Sequence, residues 1–320
     1  MSSTVVATKR RSEGKVHWSY LLMSNAPYRA LSGFLNRNLK LASILMVVLP
    51  VAWLVLWNIF PLGQMLNISL LQQYPVPAGQ SEVRTFEHYL LLFTDYTVYL
   101  PFLRTMGFAV VVSFVALVLM TPLAYFIAKK VPKNWQVRLL LLAMVPSWVG
   151  ELIRVFSYVL IFASNGAINL VLMWANFIER PIPFLYTWFS LGAGMLYVVA
   201  LFMLVPLYAA IEKIPTNVLE AASDLGANGI TRFFKVTLPL MRDGIATGVT
   251  LVFLITTGVY TVPMILAGTD SNLFAQVIAS YFHESSLTWP RGAALAIILF
   301  VSALIISGVL HSLLRAKKKY

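Results

Sequence analysis

The stretch LEAASDLGANGITRFFKVTLPL, residues 219–240, interrupts a chain that is otherwise dominated by long apolar blocks. It lies between two of those blocks, is polar and carries charges of both signs. Glu220, Ala221 and Ala222 near its start are all good or moderate helix formers. The stretch is therefore too polar to be buried in lipid, and its composition predicts an ordered structure rather than a loose linker.

Two short helices are predicted within this stretch. Start and capping signals for the first helix lie at 215–217. Gly226 and Gly229 then break it, because glycine adopts backbone angles that other residues avoid. The second helix is expected to end at Leu238 and Pro239. The two helices would form a protruding knob with an apolar surface that needs a groove on a partner. The side chains expected to fill that groove are Leu219, Leu225, Phe233 and Phe234.

The composition of the chain is that of a polytopic membrane protein. Of its 320 residues, 59% are hydrophobic and 11% are charged, whereas about a quarter of the residues in a soluble domain are charged. The apolar residues gather into blocks of the ~20 residues that a helix needs to cross a bilayer. The sequence predicts an all-α integral membrane fold with six transmembrane helices. The expected spans are roughly 41–62, 102–128, 138–162, 186–211, 243–266 and 291–314.

The distribution of Lys and Arg predicts the orientation of these spans. Most of the 24 basic residues fall in 1–40, 129–138, 212–242 and the C-terminal end, which are segments on alternate sides of the predicted spans. Such segments are typically cytoplasmic, so both termini are expected in the cytoplasm. The net charge of +12 is then a topology signal and needs no nucleic-acid partner. We expect a cytoplasmic tail over 1–40, a transmembrane domain over 41–315 with a loop at about 212–242, and a basic tail over 316–320.

Catalytic and metal-binding patterns are missing from the sequence. There are no cysteines, and the four histidines are scattered without ligand spacing. No phosphate-binding Gly-x-x-x-x-Gly-Lys-Ser/Thr motif occurs, so the chain is not expected to bind ATP itself. The sequence therefore predicts neither an enzyme nor a metal protein, and no cofactor within this chain.

The spacing of the polar stretch resembles the loop signature of binding-protein-dependent ABC import permeases, often called the EAA loop. That pattern is Glu-Ala-Ala, three residues, Gly, nine residues, an aliphatic residue, one residue and Leu-Pro. The matching residues are Glu220, Ala221, Ala222, Gly226, Val236, Leu238 and Pro239. Val stands where Ile is usual, which is a conservative departure.

Further segments resemble the spermidine/putrescine-type branch of this family. They are LIRVFSY, GAIN, VPLYAAIEKIP, GVYTVPMILAG and TWPRGAA. The sequence departs from that branch at Val259, where an acid is often found, and at Ala200-Leu201, where Pro-Phe is often found. Both departures fall in predicted membrane segments and leave the identity of the solute open.

The resemblance implies one subunit of a type I importer in the bacterial inner membrane. Such an importer has two permease subunits, two ATPase subunits that bind ATP and Mg, and an extracytoplasmic solute-binding protein. The second permease is expected to be a non-identical relative. The knob would dock on the ATPase, with Gly226 allowing its turn and Leu238 and Pro239 setting its exit angle. Glu220 would help to fix the knob, either by capping or by pairing with a basic residue of the partner. The expected solute is a polyamine or a similar cationic compound.

Two charged residues in the third predicted span are candidates for the solute path. Glu151 and Arg154 are spaced i to i+3. Charges inside a span are costly, so they usually have a function. They could form an internal ion pair. Alternatively, Glu151 attracts a cationic solute that Arg154 orients, or Arg154 extends to the outer interface. Tyr158 and Tyr260 could contact an organic cation through their ring faces, or they could simply pack.

Two other classes of protein remain as alternatives. A self-sufficient secondary transporter or channel driven by an ion gradient could use Glu151 for coupling, but its knob would have no partner. A membrane enzyme is disfavoured because no catalytic constellation is present.

Overall fold

The computed structural model describes residues 39–77, 79, 81–268 and 271–315. The predicted tail 1–40 lies outside this part of the chain except for its last two residues, and the predicted tail 316–320 lies wholly outside it. The chain divides into two compact units, residues 1–64 and 65–320. The described part of the first unit is continuous helix, made of α1 (Leu39–Leu54), a π-helical turn (Val55–Ile59) and the beginning of α2 (Phe60–Ser69).

The second unit is built from helices. Its first half contains α3 (Glu87–Thr94), α4 (Tyr96–Lys129), α5 (Lys133–Met144), α6 (Glu151–Phe162), α7 (Ala167–Trp174) and α8 (Trp188–Glu212). Its second half contains α9 (Thr216–Asp224), α10 (Gly229–Arg232), α11 (Leu238–Leu240), α12 (Arg242–Gly258), α13 (Thr261–Leu266), α14 (Phe274–Glu284) and α15 (Trp289–Leu314). In the described residues, β-type pairing is limited to one isolated bridge between Leu71 and Arg84.

Five helical segments within the described ranges are long and apolar enough to cross a membrane. They are Met46–Ser69, Tyr96–Lys129, Glu151–Trp174, Trp188–Glu212 and Ser286–Leu314. The pair Gly229–Leu240 and Arg242–Gly258 passes the same test but is bent by 70°. A sixth span therefore exists if this bent pair is counted as one.

The predicted third span, 138–162, is not one helix in the structure. A 3₁₀ turn interrupts it at Val145–Trp148, and α6 begins only at Glu151. Pro146 lies in this turn, and a proline removes a backbone hydrogen bond and clashes with the preceding turn of a helix. Gly150 caps α6 in an extended conformation (φ −52°, ψ 141°). The break places Glu151 in the first turn of a new helix rather than in the middle of an old one.

The central helix of the second unit is α8, which packs against α4, α6 and α12. Completely buried side chains recur at every fourth position along it, so they form one continuous ridge that winds slowly around the helix. These side chains are Leu191, Met195, Val199, Met203, Leu207 and Ile211. This stripe forms the middle of the main apolar core.

Glycines bring α12 into close contact with α8. A Cβ added at Gly244 would lie 2.7 Å from the carbonyl oxygen of Pro206 and would also collide with the methyl group of Ala210. A Cβ added at Gly248 would lie 2.7 Å from the sulfur of Met203. Small residues are used in this way where helices approach each other in membranes. The backbone of α12 therefore rests directly on α8 along this stretch.

Polar side chains connect the end of α8 to α4 and α5. The ammonium group of Lys129 donates hydrogen bonds to the carbonyl oxygens of Glu212 (3.4 Å) and Ile214 (2.5 Å). The hydroxyl group of Tyr208 donates to Gln136 Oε1 at 3.0 Å. These hydrogen bonds fix the C-terminal end of α8, from which the chain continues into the polar stretch.

Candidate functional sites: the knob and the Glu151 cavity

The knob, residues 216–240, begins with α9 and reverses direction at Gly226. The N–H of Gly226 donates to the carbonyl of Ser223 (2.9 Å), and the N–H of Ala227 donates to the carbonyl of Ala222 (3.0 Å). Together these two bonds form a Schellman motif, which requires a left-handed residue after the helix. Gly226 has φ +81°, a conformation that favours glycine over residues with a Cβ.

The second arm of the knob is capped and tied to the first. The side chain of Asn228 accepts a hydrogen bond from the N–H of Thr231 (2.8 Å) and so caps α10. Arg232 Nη1 donates to the hydroxyl oxygen of Ser223 at 2.6 Å, which links the two arms. The ring of Phe233 contacts the ring of Tyr125 edge-on, with centroids 6.2 Å apart, which attaches the knob to α4.

Three large apolar side chains of the knob are at least 60% exposed. Leu225 is 89% exposed, Ile230 72% and Phe234 60%. Leu219, which the sequence placed on the same surface, is only 8% exposed and packs inward. Ile230 was not anticipated, because the exposed face of a four-residue helix has no detectable periodicity. Exposed large apolar side chains on a projecting segment, called the exposed apolar cluster below, are typical of a surface that inserts into a groove on another protein.

The motif residues occupy different positions on the knob. Glu220 and Ala221 are exposed, Ala222 is half-buried, and Leu238 and Pro239 are half-buried ahead of the 70° bend into α12. The carboxyl group of Glu220 caps no helix within the described residues. Of the two roles expected for Glu220, pairing with a partner is the one that this geometry leaves available.

A cavity of about 770 Å³ lies between α4, α5, α6, α8 and α12. Most of its wall is aliphatic. The large polar side chains in the wall are those of Glu151, Arg154 and Tyr197. Leu251 and Ile255 of α12 form part of the same wall. The structure therefore places the two charged residues of the third predicted span beside an internal space of solute size.

Glu151 and Arg154 do not form the internal ion pair that was one of the three alternatives. The ion pair that the described residues do contain within 4.0 Å joins Arg84 and Glu82 on the surface. Glu151 Oε1 and Arg154 Nε are both buried and have no hydrogen-bond partner among the described residues. Because unpaired buried charges are costly, both groups are available for a ligand.

Aromatic rings extend from this cavity along α6 and α8. The guanidinium carbon of Arg154 lies 5.6 Å from the ring centroid of Tyr197. The Tyr197 ring contacts the Tyr158 ring edge-on at 5.7 Å, and Tyr158 stacks on Phe162 at 5.7 Å. Tyr158 thus stands one layer behind the cavity wall. Tyr260 lies elsewhere and lines a separate apolar groove of about 600 Å³ between α12, α14 and α15.

Sequence reasoning missed Tyr197. It is one of two tyrosines in a long apolar helix, and its importance depends on α6 lying beside α8. No spacing rule within one helix could have indicated that contact. Within the described ranges, no group of three or more His, Asp or Glu side chains could hold a metal ion.

Comparison with known proteins identifies the family. The model of the family described as "Binding-protein-dependent transport system inner membrane component" matches residues 139–318. The spermidine/putrescine transport system permease protein PotB of Escherichia coli (strain K12) is 33% identical over 256 residues, covering 80% of this chain and 92% of PotB. PotB of Haemophilus influenzae is 33% identical over 256 residues, covering 78% of this chain and 86% of that protein.

Solved structures share the fold at lower identity. A chain of a bacterial alginate ABC transporter, crystallised in complex with an alginate pentasaccharide-bound periplasmic protein, has a TM-score of 0.69 at 18% identity, covering 87% of this chain and 94% of its own length. A bacterial ABC transporter involved in the import of alginate gives 0.61 at 20% identity, covering 91% and 100%. These comparisons and the apolar helices describe a multi-pass inner-membrane transport component rather than an enzyme. The chain belongs to the binding-protein-dependent transport system inner membrane components, as an ABC importer permease of the spermidine/putrescine branch.

Proposed function

We propose that this permease carries a small organic cation, most consistently a polyamine, and that a separate ATPase drives it through the knob. In this arrangement the permease domain spans 41–315, the coupling loop spans about 212–242, and both termini face the cytoplasm. The ATPase subunits bind ATP and Mg. The transporter is completed by a second, non-identical permease and an extracytoplasmic solute-binding protein.

The observation that carries the coupling role is the exposed apolar cluster on a rigid turn. Leu225, Ile230 and Phe234 are well exposed at the surface, while the Schellman motif at Gly226 and the bond between Arg232 and Ser223 fix the shape of the knob. A rigid apolar projection loses little conformational freedom when it docks, which favours affinity. The motif residues Glu220, Ala221 and Ala222 would lie at or near this contact.

The knob is connected mechanically to the cavity. It leads through Leu238 and Pro239 and the 70° bend directly into α12. This helix rests on α8 at Gly244 and Gly248 and contributes Ile255 to the cavity wall. Movement of the docked knob would therefore be transmitted along α12 to the wall that faces the solute.

The unpaired carboxylate of Glu151 supports the choice of a cationic solute. A carboxylate in a largely apolar cavity attracts an ammonium group strongly, because the low dielectric constant strengthens the interaction between charges. The PotB relatives, at 33% identity, carry spermidine and putrescine in their names. The other residues of the proposed solute path are Arg154 in the cavity wall, Tyr158 one layer behind that wall, and Tyr260 in its separate groove.

Reconstituted transport tests this proposal. Liposomes containing the permease pair should take up spermidine only when the ATPase, ATP and the binding protein are all present. Glu151→Gln should reduce that uptake at least about tenfold, as expected for the loss of one buried charge contact, while the complex still assembles. Uptake driven by an ion gradient without the ATPase would instead establish a secondary transporter, and unchanged uptake by Glu151→Gln would exclude the proposed solute contact.

A further inference from the structure

The separation of Glu151 from Arg154 is the unexplained feature of the cavity. The two side chains are three residues apart on α6, a spacing at which Cβ atoms are about 5–6 Å apart and opposite charges readily pair. Pairing would lower the cost of burying each charge in the membrane. The structure nevertheless leaves Glu151 Oε1 without a partner.

The ring of Tyr197 provides another place for the Arg154 guanidinium. The distance of 5.6 Å to the ring centroid is within the range at which a cation is attracted to an aromatic face. Tyr197 is itself held in place, because its ring meets the Tyr158 ring edge-on at an interplanar angle of 63°. Tyr158 is in turn stacked on Phe162. The position of Arg154 is therefore set by an aromatic cluster that continues away from the cavity.

We propose that Tyr197 is a positioning residue for solute recognition, because its ring holds Arg154 away from Glu151 and so keeps that carboxylate free for the ammonium group of the solute. This inference rests on the proposed function, in which Glu151 binds the solute. Loss of the Tyr197 ring releases the Arg154 guanidinium, which then pairs with Glu151. The guanidinium thereby takes the place of the solute's ammonium group.

Chemical labelling of Glu151 tests the first half of this inference. Dicyclohexylcarbodiimide reacts with accessible carboxyl groups in apolar surroundings, whereas a carboxyl group paired with a guanidinium is protected. Labelling of the peptide that contains Glu151 should be high in the wild type and in Tyr197→Phe, which keeps the ring. It should fall about tenfold in Tyr197→Leu, the size of effect that one desolvated cation–ring contact can produce.

The double variant supplies the decisive comparison. Tyr197→Leu combined with Arg154→Gln has no guanidinium to pair with Glu151, so its labelling should return to the level of Arg154→Gln alone. A structural defect caused by the lost ring would not be repaired in this way. Equal labelling of Tyr197→Leu and the wild type, or a double variant as protected as Tyr197→Leu, would overturn the inference.

Spermidine uptake by the reconstituted transporter connects the labelling to function. Uptake should fall more in Tyr197→Leu than in Tyr197→Phe, and it should recover in the double variant to the level of Arg154→Gln. If Glu151→Gln itself leaves uptake unchanged, the proposed solute contact fails. If Glu151→Gln reduces uptake but the double variant does not recover, the positioning role of Tyr197 alone fails.

Discussion

Replacing Gly226 with alanine should weaken the binding of the ATPase to the permease about 5- to 30-fold. Gly226 has φ +81°, and the left-handed conformation costs a residue with a Cβ about 1–2 kcal/mol. A Cβ at this position would meet no other atom within 4 Å, so backbone strain accounts for the whole effect. That free energy corresponds to about a 5- to 30-fold change in an equilibrium constant.

Backbone strain at position 226 affects binding of the ATPase because the turn at this position is exposed. The variant relieves the strain by opening the hydrogen bond from the N–H of Ala227 to the carbonyl of Ala222, which the Schellman motif requires. Opening it moves Leu225 away from the rest of the exposed apolar cluster. The ATPase must restore the turn when it binds, and the cost of doing so appears as lost affinity.

The assay is titration of fluorescently labelled ATPase onto the permease in lipid nanodiscs. Gly229→Ala is the matched control, because Gly229 also has open space around it but its φ is not positive. It begins α10, where alanine is the better helix former, so binding should be retained. Gly226→Asn should fall between the two, since asparagine tolerates the left-handed region. Wild-type affinity in Gly226→Ala, or an equal loss in Gly229→Ala, would refute the reasoning.

Three further perturbations have defined outcomes. Leu225→Asp should leave the melting temperature of the permease within a few degrees of the wild type, because the side chain is 89% exposed, but it should abolish co-purification of the ATPase. Gly244→Ala should destabilise the permease by about 1–3 kcal/mol in thermal unfolding, because the added methyl group forces α12 away from the backbone of Pro206. Gly258→Ala is the control, since Gly258 has open space around it. The pKa of Asp95 is lowered by hydrogen bonds from the first turn of α4, so its cap is present at neutral pH and is lost as the pH falls through that lowered pKa. Protection of the amides in this turn, measured against the intrinsic exchange rate at each pH, should then fall, and Asp95→Asn should remove this pH dependence.

Local signals in the sequence were sufficient to predict the knob as a structural element. Gly226 ends α9 through its own backbone conformation, and the proline at 239 lies just before the bend. These effects depend on a few neighbouring residues. The EAA spacing also indicated the family, and the further matching segments indicated the branch; the comparisons confirm both.

Features that depend on packing could not be predicted in the same way. Which face of the knob is exposed depends on how its two arms fold on each other, so Leu219 was placed outside and Ile230 was overlooked. The break at Pro146 could be read as a kink in a continuous span as readily as an end. The contact between Arg154 and Tyr197 joins two residues that are more than forty positions apart along the chain, and no periodicity within either helix predicts it.

The glycine contact between α12 and α8 divides α12 into arms of unequal length. With a rise of about 1.5 Å per residue, about 5 Å separates Gly244 from Met241 at the bend, and about 21 Å separates it from Gly258. If the helix pivots rigidly at Gly244, each ångström of displacement at the bend becomes about four ångströms at the far end, beside Val259 in the cavity wall. With this ratio, a small movement of the ATPase against the knob would produce a larger movement of the cavity wall that the cation has to pass.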